Sequence, residues 1–578
     1  MAVRVSTDAP ASSASSAAGG QKKKSEKGAG WVSDELPDEV DVCIIGAGIG
    51  GLSCAALLGK YGLSVAVAEA HTVAGGAAHG FHRGGYEFDS GPSYFLGLSS
   101  PPGESINGLR QVLDAVGETV EAVEYNRLKF YLPDGEFTCV ADRECYRDAI
   151  RRFAGDDAVA EWDSLEQAMA PLGEAAVAIP FAGMRADAGV VLTMAKYVAP
   201  LVKALGGGPK GAEGFEDAKW LRENFSTLVD EHVKNKWLRD MLDLECFVIS
   251  GLKADQTSAA IMAFTFTERH KKEGCVYDYP IGGSQALIDA LVRGTRKYGG
   301  KMALGAPVEQ VVMEEGRAVG MKLKNGRVIR AKRAVVSNAS VWDTVERLLP
   351  PEVQEERKAR GDDVHTEATP LCGSFVHLHL GIDATGLPPP DELGIHHLVV
   401  KDWGLGVDGD RNVFNISIPT CLDPSQAPPG KHTVHIYGAA NEPYEKWEGL
   451  DRKSEEYAAM KKAAADDLYA ALEKVIPDIR DRVEVEMVAT PLTQKRFVRR
   501  HRGTYGPGID MTRHNLYGAE LTPGPATGIE GLWGVGDSTY PGIGVPAAAG
   551  SGFFTANSLV SVWKNLGLIY GEKIGKNV

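Results

Sequence analysis

The sequence predicts an α/β protein: a Rossmann-like dinucleotide-binding domain assembled from distant segments, with a second domain threaded between them. Two glycine-rich signals and one acid predict it. Near the start, Val40-Asp-Val-Cys-Ile-Ile-Gly46-Ala-Gly48-Ile-Gly-Gly51 sets a glycine turn directly behind an apolar run. Near the end, Gly531-Leu-Trp-Gly-Val-Gly-Asp537 leads into Pro541-Gly-Ile-Gly544-Val-Pro-Ala-Ala-Ala-Gly-Ser-Gly552. The acid is Glu69, which closes a second apolar run.

Residues 1–30 stand apart. They are rich in Ala and Ser, carry Arg4, Lys22, Lys23, Lys24 and Lys27 against Asp8 and Glu26, and lack the apolar core of a secretory signal. Such a basic, hydroxyl-rich leader reads as a plastid or mitochondrial transit peptide, with a disordered tail as the alternative.

The run ending at Ile45 reads as a buried strand and residues 52–60 as the helix behind it. Gly46, Gly48 and Gly51 permit a tight turn and close approach of backbone to a pyrophosphate, which then faces the free N–H groups of the helix. A second strand over 63–68 delivers Glu69, whose carboxylate accepts hydrogen bonds from a ribose and repels a 2′-phosphate. That favours FAD or NAD over NADP.

No run reaches the roughly 20 apolar residues that span a bilayer. The nearest approach is 171–205, punctuated by Lys196 and Lys203 and followed by Lys210. It reads either as a pair of interfacial helices with lysines at the headgroups or as buried helices of a cap.

Tyr279-Pro-Ile-Gly-Gly-Ser284 precedes an amphipathic helix over 287–298, and the runs 306–313, 318–323 and 328–330 form a meander with Asn325-Gly326 at one turn. Lys332-Arg-Ala-Val-Val-Ser-Asn338 returns as a strand, so this region rejoins the nucleotide domain and makes Val308 a candidate cofactor contact. The nucleotide domain is expected over 38–114, 279–345 and 485–570. A substrate domain takes 115–278 and 370–480, with 206–214 and 357–363 as exposed loops.

The C-terminal signal selects the dinucleotide. A strand ending at Asp537 sets a carboxylate against the ribityl hydroxyls of a flavin, while Gly544 and Val545 open a helix whose N–H groups face the pyrimidine edge of a reduced isoalloxazine. NAD has neither group, so the expected cofactor is FAD. Pro546 fits the first helical turn, where no N–H is needed.

Composition agrees with a large multidomain enzyme. The chain has 578 residues, 44% of them hydrophobic, and its net charge of −15 argues against nucleic acid as a main partner. Cys43, Cys54, Cys139, Cys145, Cys246, Cys275, Cys372 and Cys421 include no C-x-x-C, which reads as reduced thiols without structural zinc.

The ordered motifs resemble a known family. Gly46-Ala-Gly-Ile-Gly-Gly51, Glu69 with Gly75-Gly76, Phe88-Asp-Ser-Gly-Pro-Ser93, Tyr279-Pro-Ile-Gly-Gly283, Val336-Ser-Asn-Ala339, Pro419-Thr-Cys-Leu-Asp-Pro-Ser425, Gly503-Thr-Tyr-Gly-Pro507 and Val535-Gly-Asp537 are similar to those of the carotenoid isomerase and phytoene desaturase flavoproteins. The resemblance implies a glutathione-reductase-type FAD fold and a discontinuous, membrane-linked substrate domain. It also implies a conjugated polyene as substrate, and it adds Gly76 to the cofactor contacts. Amine oxidases and bacterial-type desaturases usually carry Arg directly after the Gly-Gly pair, against the pyrophosphate. Here Ala77 and Ala78 follow, more like plant-type carotenoid isomerases, which leaves open which cation meets the diphosphate; Arg83 reads as a solvated turn residue.

Reduced flavin transiently lowers the bond order of a polyene C=C with no net redox change, whereas oxidised flavin accepts a hydride equivalent from an allylic carbon. One fold supports both. The expected activity is FAD-dependent carotenoid cis-trans isomerisation; a desaturase or saturase, or a non-catalytic flavin and carotenoid binding protein, are the alternatives. Expected partners are the apolar polyene, a peripheral membrane contact, and an electron donor or quinone acceptor. The expected location is the plastid, with the cytoplasmic face of a membrane as the alternative.

No catalytic side chain is assigned. His377-Leu-His379 and His432-Thr-Val-His435 invite a metal, but positions 377 and 379 of a strand share a face without a third ligand in register, so no metal site is expected. Tyr94, Tyr505 and Tyr540 lie in motifs that should wall the isoalloxazine.

Overall fold

β1 (Glu39–Ile45) is buried from Val42 to Ile45, as a parallel strand with both faces covered must be. α1 (Ile49–Lys60) returns the chain to β2 (Val65–Ala68), parallel to β1 on one edge. On the other edge lies β3 (Val328–Ser337), also parallel. Lys301–Ala303 extends the sheet beyond β2, Arg317–Leu323 and Val308–Glu314 extend it antiparallel beyond β3, and Leu532–Gly534 pairs β3 in parallel. The break expected between 330 and 332 is absent: one strand runs through, because its inner side chains, Ile329, Ala331, Ala334, Val335 and Val336, are buried along its length.

This computed structural model describes residues 28–140, 142–177, 180–197, 223–269, 277–361, 371–438, 440–506, 524–539, 542–572 and 574. Residues 1–27 of the expected leader, 178–179 and 198–205 of the apolar segment, the loop expected at 206–214, Cys275 and Tyr540 lie outside the described residues.

α1 is buried from Ile49 to Gly59 because α2 (Gly283–Lys297) and α3 (Val545–Ser558) both pack on it. Small residues allow this. A Cβ on Gly50 would stand 2.6 Å from Gly536 Cα, and one on Gly552 2.6 Å from Ser53 Cβ. The two glycine signals therefore touch, and neither leaves room for a side chain.

A second sheet has the order Val483–Ala489, β4 (His377–Asp383), β5 (Lys431–Tyr437), Val413–Ser417, His396–Val400, Arg127–Leu132 and Gly135–Val140. Val483–Ala489 pairs with β4, so the last nucleotide-domain segment does not begin at 485 as expected. Helix Glu455–Leu472 covers one face through Leu468 and Leu472. Helices between 143 and 269 form a separate core around Trp162, Phe247 and Phe266. The loop expected from 357 is instead the end of a helix, Pro351–Arg360, which opens on Pro and closes on Gly361 at φ 72°.

Three motifs without evident chemistry meet in one buried network. Asp89 accepts from the Tyr279 hydroxyl at 2.6 Å and from the N–H and hydroxyl of Ser284 at 2.7 and 2.8 Å. Gln426 Nε2 donates to the Tyr279 oxygen at 2.9 Å, and Asp423 accepts from the Gly282 N–H at 2.7 Å. Burial raises the Asp89 pKa, and these donors oppose that shift.

Candidate functional site

A cavity of about 490 Å³ opens at the carboxyl ends of β1, β2 and β3. In an α/β sheet this is where ligands bind. Gly46, Gly48, Glu69, Gly76, Val308, Asp537, Gly544 and Val545 all line it. Gly51 does not: a Cβ there would meet the Gly46 carbonyl oxygen at 2.3 Å, so this glycine closes helix on turn and does not face the cavity.

The turn itself is tightly held. Gly46 has φ +95° and Gly76 φ +57°, values that only glycine adopts without strain. Glu69 accepts from the N–H groups of Ala47 and His71, both at 2.7 Å, which fixes its carboxylate while leaving lone pairs for a ribose. Sequence reasoning passed over Asn338, although its motif was visible. Its side chain lies 2.6 Å from a Cβ placed on Gly48, 3.0 Å from one on Gly50 and 2.5 Å from one on Gly536. The glycines close around this amide at the end of β3.

At the other end of the cavity, Asp537 accepts from Arg500 Nη2 at 2.5 Å. The Ser538 hydroxyl beside it is buried and has no hydrogen-bond partner among the described residues. α3 begins at Val545, with Pro546 in its first turn, so the helix start faces the cavity. A carboxylate at each end, a glycine cradle between and an unpaired hydroxyl fit FAD: Glu69 would hold the adenosine ribose, the Gly46–Gly48 turn the diphosphate, Asp537 the ribityl chain, and the start of α3 the pyrimidine edge.

Phe375, His377, Tyr437, Tyr505 and Ile543 make one uncharged part of the lining, while Asp343, Arg347, Arg499, Arg500 and His501 reach the cavity elsewhere. Tyr505 stands where the motif placed it; Tyr94 does not line the cavity and stacks on His396 at 4.0 Å. The histidine expectation needs correction: β4 and β5 pair with His379 directly opposite His435, so a third histidine is in register. Register across strands is invisible to a single-strand pattern. The rings lie parallel within 9°, with His377 Nδ1 2.8 Å from His435 Nε2 and His379 stacked on His435 at 4.2 Å. Each of the three histidines offers a ring nitrogen within 4.8 Å of the others, so this cluster is one that could hold a metal ion. Burial drives His377 and His435 well below the usual histidine pKa and His379 to about 4, and it pushes Tyr437 up to about 12. At neutral pH this part of the lining carries no charge.

Fold and cavity define a dinucleotide-dependent enzyme with the marks of a flavoprotein. The chain belongs to the flavin containing amine oxidoreductase family, whose model matches residues 49–560; its cofactor is FAD. It is 33% identical over 91% of its length to prolycopene isomerase 1, chloroplastic, of an Oncidium hybrid cultivar, covering 85% of that protein. It is 27% identical over 89% of its length to a phytoene desaturase (neurosporene-forming) of Rhodobacter capsulatus, covering 93% of it. Among solved structures, an oxidoreductase from Methanosarcina mazei matches with a TM-score of 0.55 at 20% identity, over 88% of this chain and 97% of that one.

Proposed function

We propose that this protein is an FAD-dependent carotenoid cis-trans isomerase acting on a long conjugated polyene through reduced flavin. The observation that carries the reading is the similarity to prolycopene isomerase, 33% over 91% of the chain. The uncharged part of the lining made by Phe375, neutral His377, Tyr437, Tyr505 and Ile543 suits an apolar chain. Reduced flavin would supply the reversible electron or proton-coupled exchange that lowers the order of one double bond. The chain's own part is electrostatic: the start of α3 favours negative charge at the pyrimidine edge, more strongly in a site without water. Gly46, Gly48, Glu69, Gly76, Val308, Asp537, Gly544 and Val545 hold the cofactor in this reading.

The second reading is a desaturase, favoured by the 27% identity to phytoene desaturase. Mass separates the two. An isomerase yields products of unchanged mass with reduced flavin under anaerobic conditions; a desaturase yields products lighter by two hydrogens, and only with oxidised flavin and an acceptor such as a quinone.

A polyene this apolar reaches the site from lipid, and we place the protein on a plastid membrane as a peripheral enzyme. No helix among the described residues is long and apolar enough to cross a bilayer. The expected pair of interfacial helices is not formed in the described part of 171–205. Leu172 is fully buried in helix Asp156–Val177, and the rest is a five-residue helix, Val190–Met194, between short 3-10 turns, with Asn557 Nδ2 donating to Ala182 and Met184. What remains at the surface is a patch: Val191 and Leu192, 71% and 48% exposed, next to α4 (Val562–Gly571), on which Trp563 and Tyr570 are 73% and 65% exposed. Lys196 stands 5.3 Å from the Tyr570 ring. Exposed aromatics beside lysine suit a headgroup boundary.

A further inference from the structure

We propose that Arg499 supplies the cation for the cofactor's diphosphate, in place of the arginine missing behind Gly75-Gly76. The proposal rests on the FAD reading above and names a contact which that reading leaves open.

The segment that follows helix Pro491–Phe497 runs along the cavity, with Phe497, Arg499, Arg500 and His501 among its lining residues. It is anchored at both ends. The Phe497 ring packs edge-on against His71 at 6.0 Å, two residues beyond Glu69, at the adenosine-ribose end. Arg500 is tied at the ribityl end, donating to Asp537 Oδ2 at 2.5 Å, to the Thr504 carbonyl at 2.6 Å and to the Tyr505 carbonyl at 2.5 Å. Beyond it, His501 stacks on Trp342 at 5.2 Å. Arg499 falls between these ends. The diphosphate joins ribose to ribityl chain inside the cavity that Arg499 lines with Gly46 and Gly48.

Arg499 is also the free cation there. Among the described residues it has no hydrogen bond or ion pair, whereas Arg347, which lines the same cavity, is held by Asp343 at 3.0 Å. Arg83 is exposed and does not line the cavity. Arg499 has φ +55°, and Arg502 and Gly503 follow at +49° and +61°. A non-glycine residue in the left-handed region is strained, and such strain persists where surrounding structure imposes it, most often at ligand sites. A planar guanidinium that presents paired N–H donors matches phosphate oxygens, and a diphosphate brings two negative charges that the backbone N–H groups of Gly46–Gly48 do not neutralise.

The test measures FAD affinity and release from the full-length holoprotein, by recovery of flavin fluorescence on dilution, at several salt concentrations. Arg499→Gly should weaken FAD binding about tenfold and flatten its salt dependence, since the lost contact is ionic. The flavin-free variant should melt no lower than the flavin-free wild type, because glycine relieves the positive φ. Arg499→Lys, which keeps the charge but not the fork, should fall between and guards against an artefact of the glycine. FAD affinity within twofold of wild type in both variants, with an unchanged salt slope, overturns the proposal. A wild-type protein that binds no FAD overturns the flavin reading itself, and the proposal with it.

Discussion

At the scale of single residues, the site depends on what is left out. A Cβ at Gly48 meets the Asn338 amide at 2.6 Å, so Gly48→Val must displace Asn338 or the turn, and either closes the path of the diphosphate. Wild-type protein is expected to be yellow and to release non-covalent FAD on denaturation. The Gly48→Val variant should retain less than about a tenth of that flavin, checked by absorbance after gel filtration; full flavin content would refute the cradle. The buried histidines make a second prediction. His79 and His379 titrate near 4, and His396 and His397 near 3, all lowered by burial. Because their folded pKa lies below the unfolded value of about 6.5, the unfolded chain binds more protons between these values and stability rises with pH there. The contribution is complete above the unfolded pKa and is lost as pH falls from about 6.5, toward 4 for His79 and His379 and toward 3 for His396 and His397. Denaturant titrations at pH 7.5, 6 and 5 should show this loss, and His379→Gln should reduce the slope by about one proton. An unchanged slope would contradict a neutral His379. Why β4 carries these histidines could not be read from β4 alone: the pattern His377-Leu-His379 shows two residues on one face, and only pairing with β5 adds His435.

At the scale of elements, the βαβ unit was legible because its glycines, its apolar runs and Glu69 are consecutive in sequence. The contact of Gly50 with Gly536 was legible only as two matching halves, and the network of Asp89, Tyr279, Asp423 and Gln426 only as unexplained motifs. The segment around Arg499 gave no sign, since its meaning lies in positive φ angles and in a cavity formed by other parts of the chain. The surface patch was half legible: 190–192 could be chosen from hydropathy, but α4 reads as an ordinary helix until Trp563 and Tyr570 are seen exposed together. Changing Val191 and Trp563 to Asp should lower binding to anionic liposomes about tenfold or more, at unchanged flavin content and melting temperature. Salt should release the wild type only in part and detergent fully. If the double variant binds liposomes as the wild type does, the patch serves something other than lipid.

For the whole molecule, the two sheets divide the labour. The first sheet holds the carboxylates and the glycine cradle, the second contributes His377 and Tyr437 to the uncharged lining, and the cavity lies where both contribute lining residues. Neither sheet dictates the reaction, because a flavin beside an apolar wall serves isomerisation and desaturation alike. The preference for isomerisation rests on the helix start behind the pyrimidine edge and on the similarity to prolycopene isomerase. The most direct measurement is an anaerobic incubation of the protein with a poly-cis carotene and dithionite-reduced FAD, with products resolved by chromatography and mass. The account predicts isomers of unchanged mass over many turnovers per flavin, with no stoichiometric use of reductant. Products lighter by two hydrogens, formed only with oxidised flavin and a quinone, would contradict it.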